Sequence, residues 1–408
     1  MQIAYDIVII GAGPAGLGFA ASMLDTNVNV LILERSDLED ISMPKVDGRE
    51  VALTHLSLKI LKKLGVWDLV DQTKVSPLRE AKVFDGDSAS LLNFKSDKAN
   101  IEALGYLVPN HKIRQALYNR VKDAKNITIQ TNTLADDVIQ LENSAQVVLV
   151  GGECIETKLV IAADSRFSSI RRKVGIPTLM KDFSKVMIIT KMMHEKSHEN
   201  IALECFDYGR TLALLPMIGD ASSVVLTVKT DESKKILEMN EAEFNEMITS
   251  SFKASLGEMT QSGKRHSYPL VATHAQTFIA KRFALIGDAA VGMHPVTAHG
   301  YNLGLRGQDI LATLIKEALE HGQDIGSSSL LKLYEKKHIN LTRLMFFGTN
   351  GIVALFTNDA PVVKQVRKMV LKFAENFPPI KYLISNQLTE AKSNKFTPFE
   401  KILKKLPF

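Results

Sequence analysis

Cysteine, tryptophan and net charge are all scarce in this 408-residue chain. Two cysteines, Cys154 and Cys205, cannot build a disulfide scaffold, so they are expected as thiols of a reducing compartment that fill core space. Neither stands in a C-x-x-C pair, no H-E-x-x-H occurs, and His294 and His299 are five apart, off any shared helix face. No metal site is therefore expected. The nucleophile elbow G-x-S-x-G is absent too, as is any repeat of the length that builds solenoids. Asp6 stands where a leader would carry its basic or apolar stretch, so no signal peptide is expected.

Long uncharged runs are rare. Residues 7–24 carry no charge, a length at which a spanning helix becomes thinkable. Gly11, Gly13, Gly16, Gly18 and Pro14 would leave such a helix poorly specified, and a turn is expected instead. The net charge of +5 is unevenly placed: residues 360–408 hold ten Lys/Arg against three Glu, leaving the rest near neutral. A surface for nucleic acid is not expected.

What remains is ample apolar material, 45% of residues, enough for two or three domains with sizeable cores. The order of elements is α/β. Tyr5–Ile10 reads as a strand, 14–23 as a helix, 28–33 as a second strand, and 159–163 and 283–286 as further buried strands ending in polar turns. Between them, 185–229 holds short β-like runs, followed by an amphipathic helix near 242–256. An antiparallel sheet inserted into a three-layer, Rossmann-like domain is the predicted architecture, with helices at 330–347 and 361–373. The expected boundaries are 1–71, 98–175 and 277–330 for the first domain, 72–97 and 176–276 for the inserted one, and 331–408 for a helical C-terminal region.

Gly11-Ala12-Gly13-Pro14-Ala15-Gly16 fits G-x-G-x-x-G. Gly11 permits the tight turn, Gly13 lets backbone approach a pyrophosphate, and Gly16 lets the helix pack on the strand. Phosphates would rest on the helix N-terminus. Glu34 ends the next strand 18 residues after Gly16, where a carboxylate can take both hydroxyls of a ribose. A dinucleotide is expected here.

Further motifs carry a resemblance. Residues 284–290 (ALIGDAA) resemble the GD motif of flavoprotein hydroxylases, whose aspartate, here Asp288, holds the ribityl chain of FAD. Residues 162–172 (AADSRFSSIRR), with Asp164, resemble their DG motif. Residues 47–53 (DGREVAL) resemble the loop placing an arginine, Arg49, beside the flavin, and 106–115 the segment that brings Gln115 near it. The run 292–305, with Pro295, Gly300, Tyr301 and Asn302, is similar to the stretch lying against the isoalloxazine in the ubiquinone-biosynthesis hydroxylases, the UbiH/UbiF/UbiM group of class A FAD-dependent aromatic monooxygenases. Three positions depart from that pattern: Ser165 replaces a glycine, His299 a glutamine, and Gly307 an aspartate. They suggest the UbiM-like branch.

The resemblance implies FAD on Gly11, Gly13, Ala15, Gly16, Glu34, Arg35, Arg49, Gln115, Asp164, Asp288, Pro295, Gly300, Tyr301 and Asn302. It implies reduction by NADPH or NADH, bound transiently because no second glycine motif is present, and oxygen transfer through a flavin C4a-hydroperoxide to a polyprenylated phenol or quinol. No acid or base is assigned: His299 is the one candidate, and a structural hydrogen-bond partner is the preferred reading of it. A rival hydroxylase of small aromatic acids would need a cation or phenol on the 185–229 sheet, with Arg210 and Tyr208 the candidates. A non-catalytic, FAD-retaining subunit is the third reading. The basic, apolar-interleaved end 392–408 suits an anionic membrane surface or a partner protein of the same pathway, so the expected location is cytoplasmic, peripheral to the inner membrane.

Overall fold

A computed structural model describes residues 5–85, 91–96, 101–207, 210–295 and 299–357, with the isolated residues Ala360, Val363, Gln365, Met369, Thr389 and Glu390. The uncharged run at the start resolves into the strand Tyr5–Ile10, a turn, and the helix Pro14–Ser22. That strand is buried on both faces from Ile7 onward, so its sequence is a continuous apolar run and not an alternation. It pairs in parallel with Val30–Leu33 on one side and Cys154–Ala162 on the other.

Ile127–Gln130 and Phe283–Leu285 extend the two sides in parallel. The hairpin Ala135–Gln140/Ala145–Leu149 and the short strand Ile279–Ala280 complete an eight-stranded sheet among the described residues. Chain order reverses at the first strand. A crevice at the carboxyl ends of the strands is the usual consequence of such a reversal, and the loops after residues 10, 162 and 285 all leave from that end.

A second sheet, of nine strands among the described residues, runs Val291–Gly292, His266–Ala275, Thr178–His194, Ala221–Lys229, Arg210–Pro216, Ile201–Asp207, Glu80–Asp85, Leu91–Lys95, with Met259–Gln261 beside Thr178–His194. Every pair is antiparallel except Ile201–Asp207 with Glu80–Asp85. Side chains alternate between its faces. One face, with Ile188, Leu212, Leu214, Val224 and Leu226, packs under the helices Thr230–Glu238 and Glu241–Ser251 through Ile236, Phe244 and Ile248. The other carries Met187, Ile189, Val225, Tyr268 and Leu270. Ser76–Leu78 belongs to neither large sheet: it pairs with Gly105–Pro109, which also pairs with Glu50–Leu53.

The helix Gly300–Glu320 packs on the helix Ser328–Thr357. The latter runs ten residues past the expected stop at Phe347, since no proline intervenes before Pro361 and Asn350-Gly351 is tolerated. Residues 328–356 are long and apolar enough to cross a membrane, but three of their polar side chains bond to the rest of the protein. Tyr334 donates to Leu285 O (2.7 Å), Glu335 accepts from Phe278 N (2.8 Å), and Thr342 Oγ1 meets His274 Nε2 (3.1 Å). The expected helix 361–373 lies largely, and the basic end 392–408 entirely, outside the described residues. Cys205 packs beneath the two helices as expected, whereas Cys154, at a strand end, is exposed and fills no core.

Candidate cofactor and substrate site

Three strand ends meet at one place. Gly11 has φ +109°, and a Cβ there would lie 2.6 Å from Ala163 O, so only glycine lets this turn touch the strand end before Asp164. A Cβ on Gly16 would collide with the Gly11 carbonyl oxygen. Around Gly13 the space is open, and Gly13 caps the helix Pro14–Ser22 with no side chain bonded to its free N–H groups and no acidic residue in the first turn. An uncapped helix start facing open space is a cradle for phosphate. Ala15 meets Gly287, whose φ is +58° and whose Cβ would lie 2.5 Å from the Ala15 Cβ. Gly304 in turn sits against Gly287.

Glu34 stands at this loop. Ala12 N–H donates to its Oε2 (2.7 Å) and Ser36 N–H to its Oε1 (2.9 Å), which fixes the carboxylate beside the glycine turn. Arg35, next to it, is exposed. On the other strands, Arg166 spans two motifs: its guanidinium donates to Asp288 Oδ2 (3.1 Å) and to Val271 O (2.8 Å). Buried Arg171 donates to Arg166 O (3.1 Å) and Ala289 O (2.8 Å), locking the same junction from behind. Burial raises the Asp164 carboxyl above its usual range, against hydrogen bonds from Ser168 and the local backbone. Asp164 therefore braces the turn into the short helix Ser169–Lys173, with Ile170 N–H 3.5 Å from its Oδ2.

The Arg49 loop approaches from the other direction. Arg49 Nε and Nη2 both donate to Asp47 Oδ2 (2.9 and 2.6 Å), its guanidinium lies 5.4 Å from the Tyr268 ring centroid, and the Tyr268 hydroxyl donates to Asp47 O (2.7 Å). Asn110 Nδ2 also donates to Asp47 (2.7 Å). Burial alone would raise the Asp47 carboxyl, but the Arg49 charge and these hydrogen bonds hold it below the usual range. Its neighbour Glu50 is pushed up to about 8 by burial and by Asp47, against the opposing charge of Lys191. Gly48, at φ +73°, lies against His266 and Ile189 of the nine-stranded sheet.

The run 292–302 closes the site. Val291–Gly292 pairs with Thr273 and His274, and the His294 ring sits 4.7 Å edge-on to Phe183. Pro295 is exposed; residues 296–298 lie outside the described set. The helix begins at Gly300, with His299 buried as its cap and accepting from Leu303 N–H through its backbone oxygen (2.9 Å). Asn302 has a role that spacing did not suggest: it accepts from Thr54 N–H (3.1 Å) and donates to Ala52 O (2.8 Å), tying the Arg49 strand to the helix start. The Tyr301 hydroxyl is buried with no hydrogen-bond partner, which raises its pKa above the ordinary phenol range. Gln115 is half-buried on the helix Asn110–Val121. Glu390, from the C-terminal region, accepts from Thr54 Oγ1 (2.7 Å) and pairs with Arg306 (3.3 Å), touching both elements that flank the site.

Comparison with known proteins decides the family. Residues 4–345 match the model of the FAD binding domain family. The chain is 45% identical to ubiquinone hydroxylase UbiM of Neisseria meningitidis over 95% of this chain and 85% of that protein. It is 31% identical to ubiquinone hydroxylase UbiL of Rhodospirillum rubrum, over 93% and 88%. The chain belongs to the FAD-dependent ubiquinone hydroxylase family.

As a ubiquinone hydroxylase family member it is a flavoprotein monooxygenase whose cofactor is FAD. Its fold is that of p-nitrophenol 4-monooxygenase PnpA from Pseudomonas putida, at TM-score 0.76 and 17% identity over 95% of this chain and 99% of that one. The open space at Gly13, the uncapped helix start, the unpartnered Tyr301 hydroxyl and the flanking carboxylates fit that cofactor.

The structure also accounts for two departures from the family pattern. Ser165 keeps φ +100°, so the turn retains the geometry that a glycine would give it. Gly307 leaves room for His338, whose Nε2 would lie 2.6 Å from a Cβ there; an aspartate is excluded by the histidine that fills its place. Arg166 and Tyr268 were not singled out in the sequence, and Asn302 was expected only beside the cofactor, because each acts through residues more than 100 positions away.

Proposed function

We propose that this enzyme hydroxylates the aromatic ring of a polyprenylated phenol or quinol in ubiquinone biosynthesis. The reaction balances as ring–H + O2 + NAD(P)H + H⁺ giving ring–OH + H2O + NAD(P)⁺. The observation that carries the reading is the placement of an apolar sheet face, with Met187, Ile189, Val225 and Leu270, against the loop holding Arg49 and the run ending at Gly300. Such a face suits a hydrophobic ring and tail, and the names of the UbiM and UbiL relatives support the same substrate class.

Bound FAD supplies the redox chemistry and the activation of oxygen. The chain's own residues have other tasks. The segments 1–71, 98–175 and 277–330 hold the cofactor: Gly13 and the helix start take its phosphates, Glu34 its ribose and Asp288 its ribityl chain. N–H groups at the start of the helix Gly300–Glu320, which has no side-chain cap, would stabilise negative charge developing on the bound cofactor without reorganising. Arg49, held by Asp47 over Tyr268, positions a cation at the seam between the two sheets. The nine-stranded sheet, with Glu80–Asp85 and Leu91–Lys95 at its edge, would form the substrate wall and exclude water from the reacting centre.

The small-acid alternative loses the cation proposed for it. Arg210 alternates with Leu212 and Leu214, on the helix-covered face away from the Arg49 loop. Tyr208 lies outside the described residues. We further propose that the basic end 392–408 holds the enzyme at an anionic membrane surface, on its composition. If deleting it left membrane association unchanged, that part would be abandoned.

The test is turnover of a short-chain prenylated phenol by the FAD-loaded enzyme, with product, NADPH and oxygen followed together. Phenol-dependent NADPH consumption matched by hydroxylated product supports the reading. A flavin that NADPH cannot reduce would favour the non-catalytic subunit.

A further inference from the structure

The substrate-facing side of the nine-stranded sheet can be followed residue by residue through its register. His266 pairs with Ile189, Ile189 with Val225, Val225 with Ala213, Ala213 with Glu204, Glu204 with Val83, and Val83 with Leu92. Directly paired residues project to the same face. One end of this row touches the Arg49 loop, since Gly48 lies against His266 and Ile189. The other end is covered by the long C-terminal helix: Phe206, two residues from Glu204 on the same face, has its ring 4.3 Å from Phe356. Glu204 therefore sits mid-row, between the cofactor loop and that helix, on a line that is otherwise apolar from Ile189 to Leu92.

Its surroundings are unusual for a carboxyl group. Glu204 is half-buried on this face, and burial pushes its carboxyl up to about 8. Among the described residues it makes no hydrogen bond and no ion pair, and burial alone acts on its ionisation. A carboxyl group without partners on an apolar, half-buried face calls for an explanation. Of the cations on this side, Arg49 is matched by Asp47, and Lys191 is exposed to solvent. Lys82, next to Val83, points to the opposite face.

We propose that Glu204 is the polar anchor of the substrate space, its carboxyl group hydrogen-bonding the ring hydroxyl of a neutral phenol and disfavouring rings that carry a carboxylate. The proposal rests on the hydroxylase reading above and names how its substrate is chosen. A carboxylic acid both donates and accepts, matching the two hydrogen-bonding roles of a phenol hydroxyl. A ring carboxylate would have to give up its hydration to enter this apolar face, where a single neutral carboxyl group replaces it poorly. Selection of this kind is strong because the wrong ligand leaves the buried anchor unpaired.

The test uses the full-length, FAD-loaded enzyme as wild type, Glu204→Leu and Glu204→Gln. Three probes share one tail and differ at the ring: 4-heptylphenol, heptylbenzene and 4-heptylbenzoate. Binding is read from the perturbation of flavin absorbance. Wild type is expected to bind the phenol about 10-fold or more tighter than heptylbenzene, from one buried hydrogen bond of about 1.4 kcal/mol, and the benzoate most weakly.

Glu204→Leu is expected to abolish the preference for phenol over heptylbenzene, and Glu204→Gln to retain most of it. An undiminished preference in Glu204→Leu, or a wild type that binds the benzoate as tightly as the phenol, overturns the proposal. Should Glu204→Leu fail to fold, the wild-type ranking and Glu204→Gln still decide it. If wild type shows the ranking but never hydroxylates the phenol, the hydroxylase reading fails while the anchor stands. If it hydroxylates the phenol and the ranking is absent, only the anchor fails.

Discussion

Replacing Ser165 by glycine should make this enzyme more stable without loosening its hold on FAD. Ser165 is at φ +100°, a conformation that L side chains rarely adopt, while its side chain is exposed and makes no hydrogen bond. Holding a non-glycine residue there costs about 1–3 kcal/mol. Glycine removes that strain but adds freedom to the unfolded chain, worth about 0.5–1 kcal/mol in the other direction. The net expectation is a gain of about 0.5–2 kcal/mol.

In a chain of 408 residues the unfolding entropy is large, so 1 kcal/mol moves Tm by only about 1 °C. Isothermal urea unfolding is therefore the assay, with an unchanged slope as the condition for comparing midpoints. Ser165→Ala is the control, because it keeps the Cβ and should gain nothing. A Ser165→Gly variant no more stable than wild type, alongside a destabilised Ser165→Ala, would show that the hydroxyl holds the turn and would refute the strain argument.

Three further outcomes are expected. Gly16→Ala puts a methyl group into the Gly11 carbonyl oxygen and should cost at least about 10-fold in FAD retention, read from the flavin-to-protein absorbance ratio; a fully loaded variant would contradict the packing described here. Gly307→Asp should cost about 1–3 kcal/mol in urea unfolding through its clash with His338, and His338→Ala should return part of that loss, giving a coupling of at least about 0.5 kcal/mol; simple additivity would sink the account of this departure. Glu50→Gln should change how stability depends on pH. The folded carboxyl keeps its proton up to about 8 and the unfolded one loses it near 4.5, so wild-type stability falls as pH rises through that window, and the variant should gain on wild type between pH 5 and pH 8; a constant gap would mean that the carboxyl ionises normally.

What could be read from the sequence was local. The glycine turn, the strand before it and Glu34 after it lie within 30 residues, and each position is dictated by sterics that a short stretch expresses. Asp164 and Asp288 were legible as strand-end residues for the same reason. Arg166 joins these two aspartates' motifs through a contact across 122 positions, and nothing in its own neighbourhood announces that. Glu204 depends on register. A one-residue slip would turn it beneath the helices with Cys205, so only the pairing of six strands reveals which face it serves. The small strand Ser76–Leu78 was grouped with the inserted sheet because it adjoins it in sequence, yet it pairs with Gly105–Pro109 beside the Arg49 strand.

The central claim is that oxygen from O2 enters the ring of a lipophilic phenol on this protein. The direct measurement is turnover of a short-chain prenylated phenol under ¹⁸O2 with NADPH, with mass spectrometry of the product. One ¹⁸O atom per hydroxylated ring, in step with NADPH consumed, is the predicted result. NADPH oxidised with the label only in hydrogen peroxide or water, and the phenol returned unchanged, would contradict it.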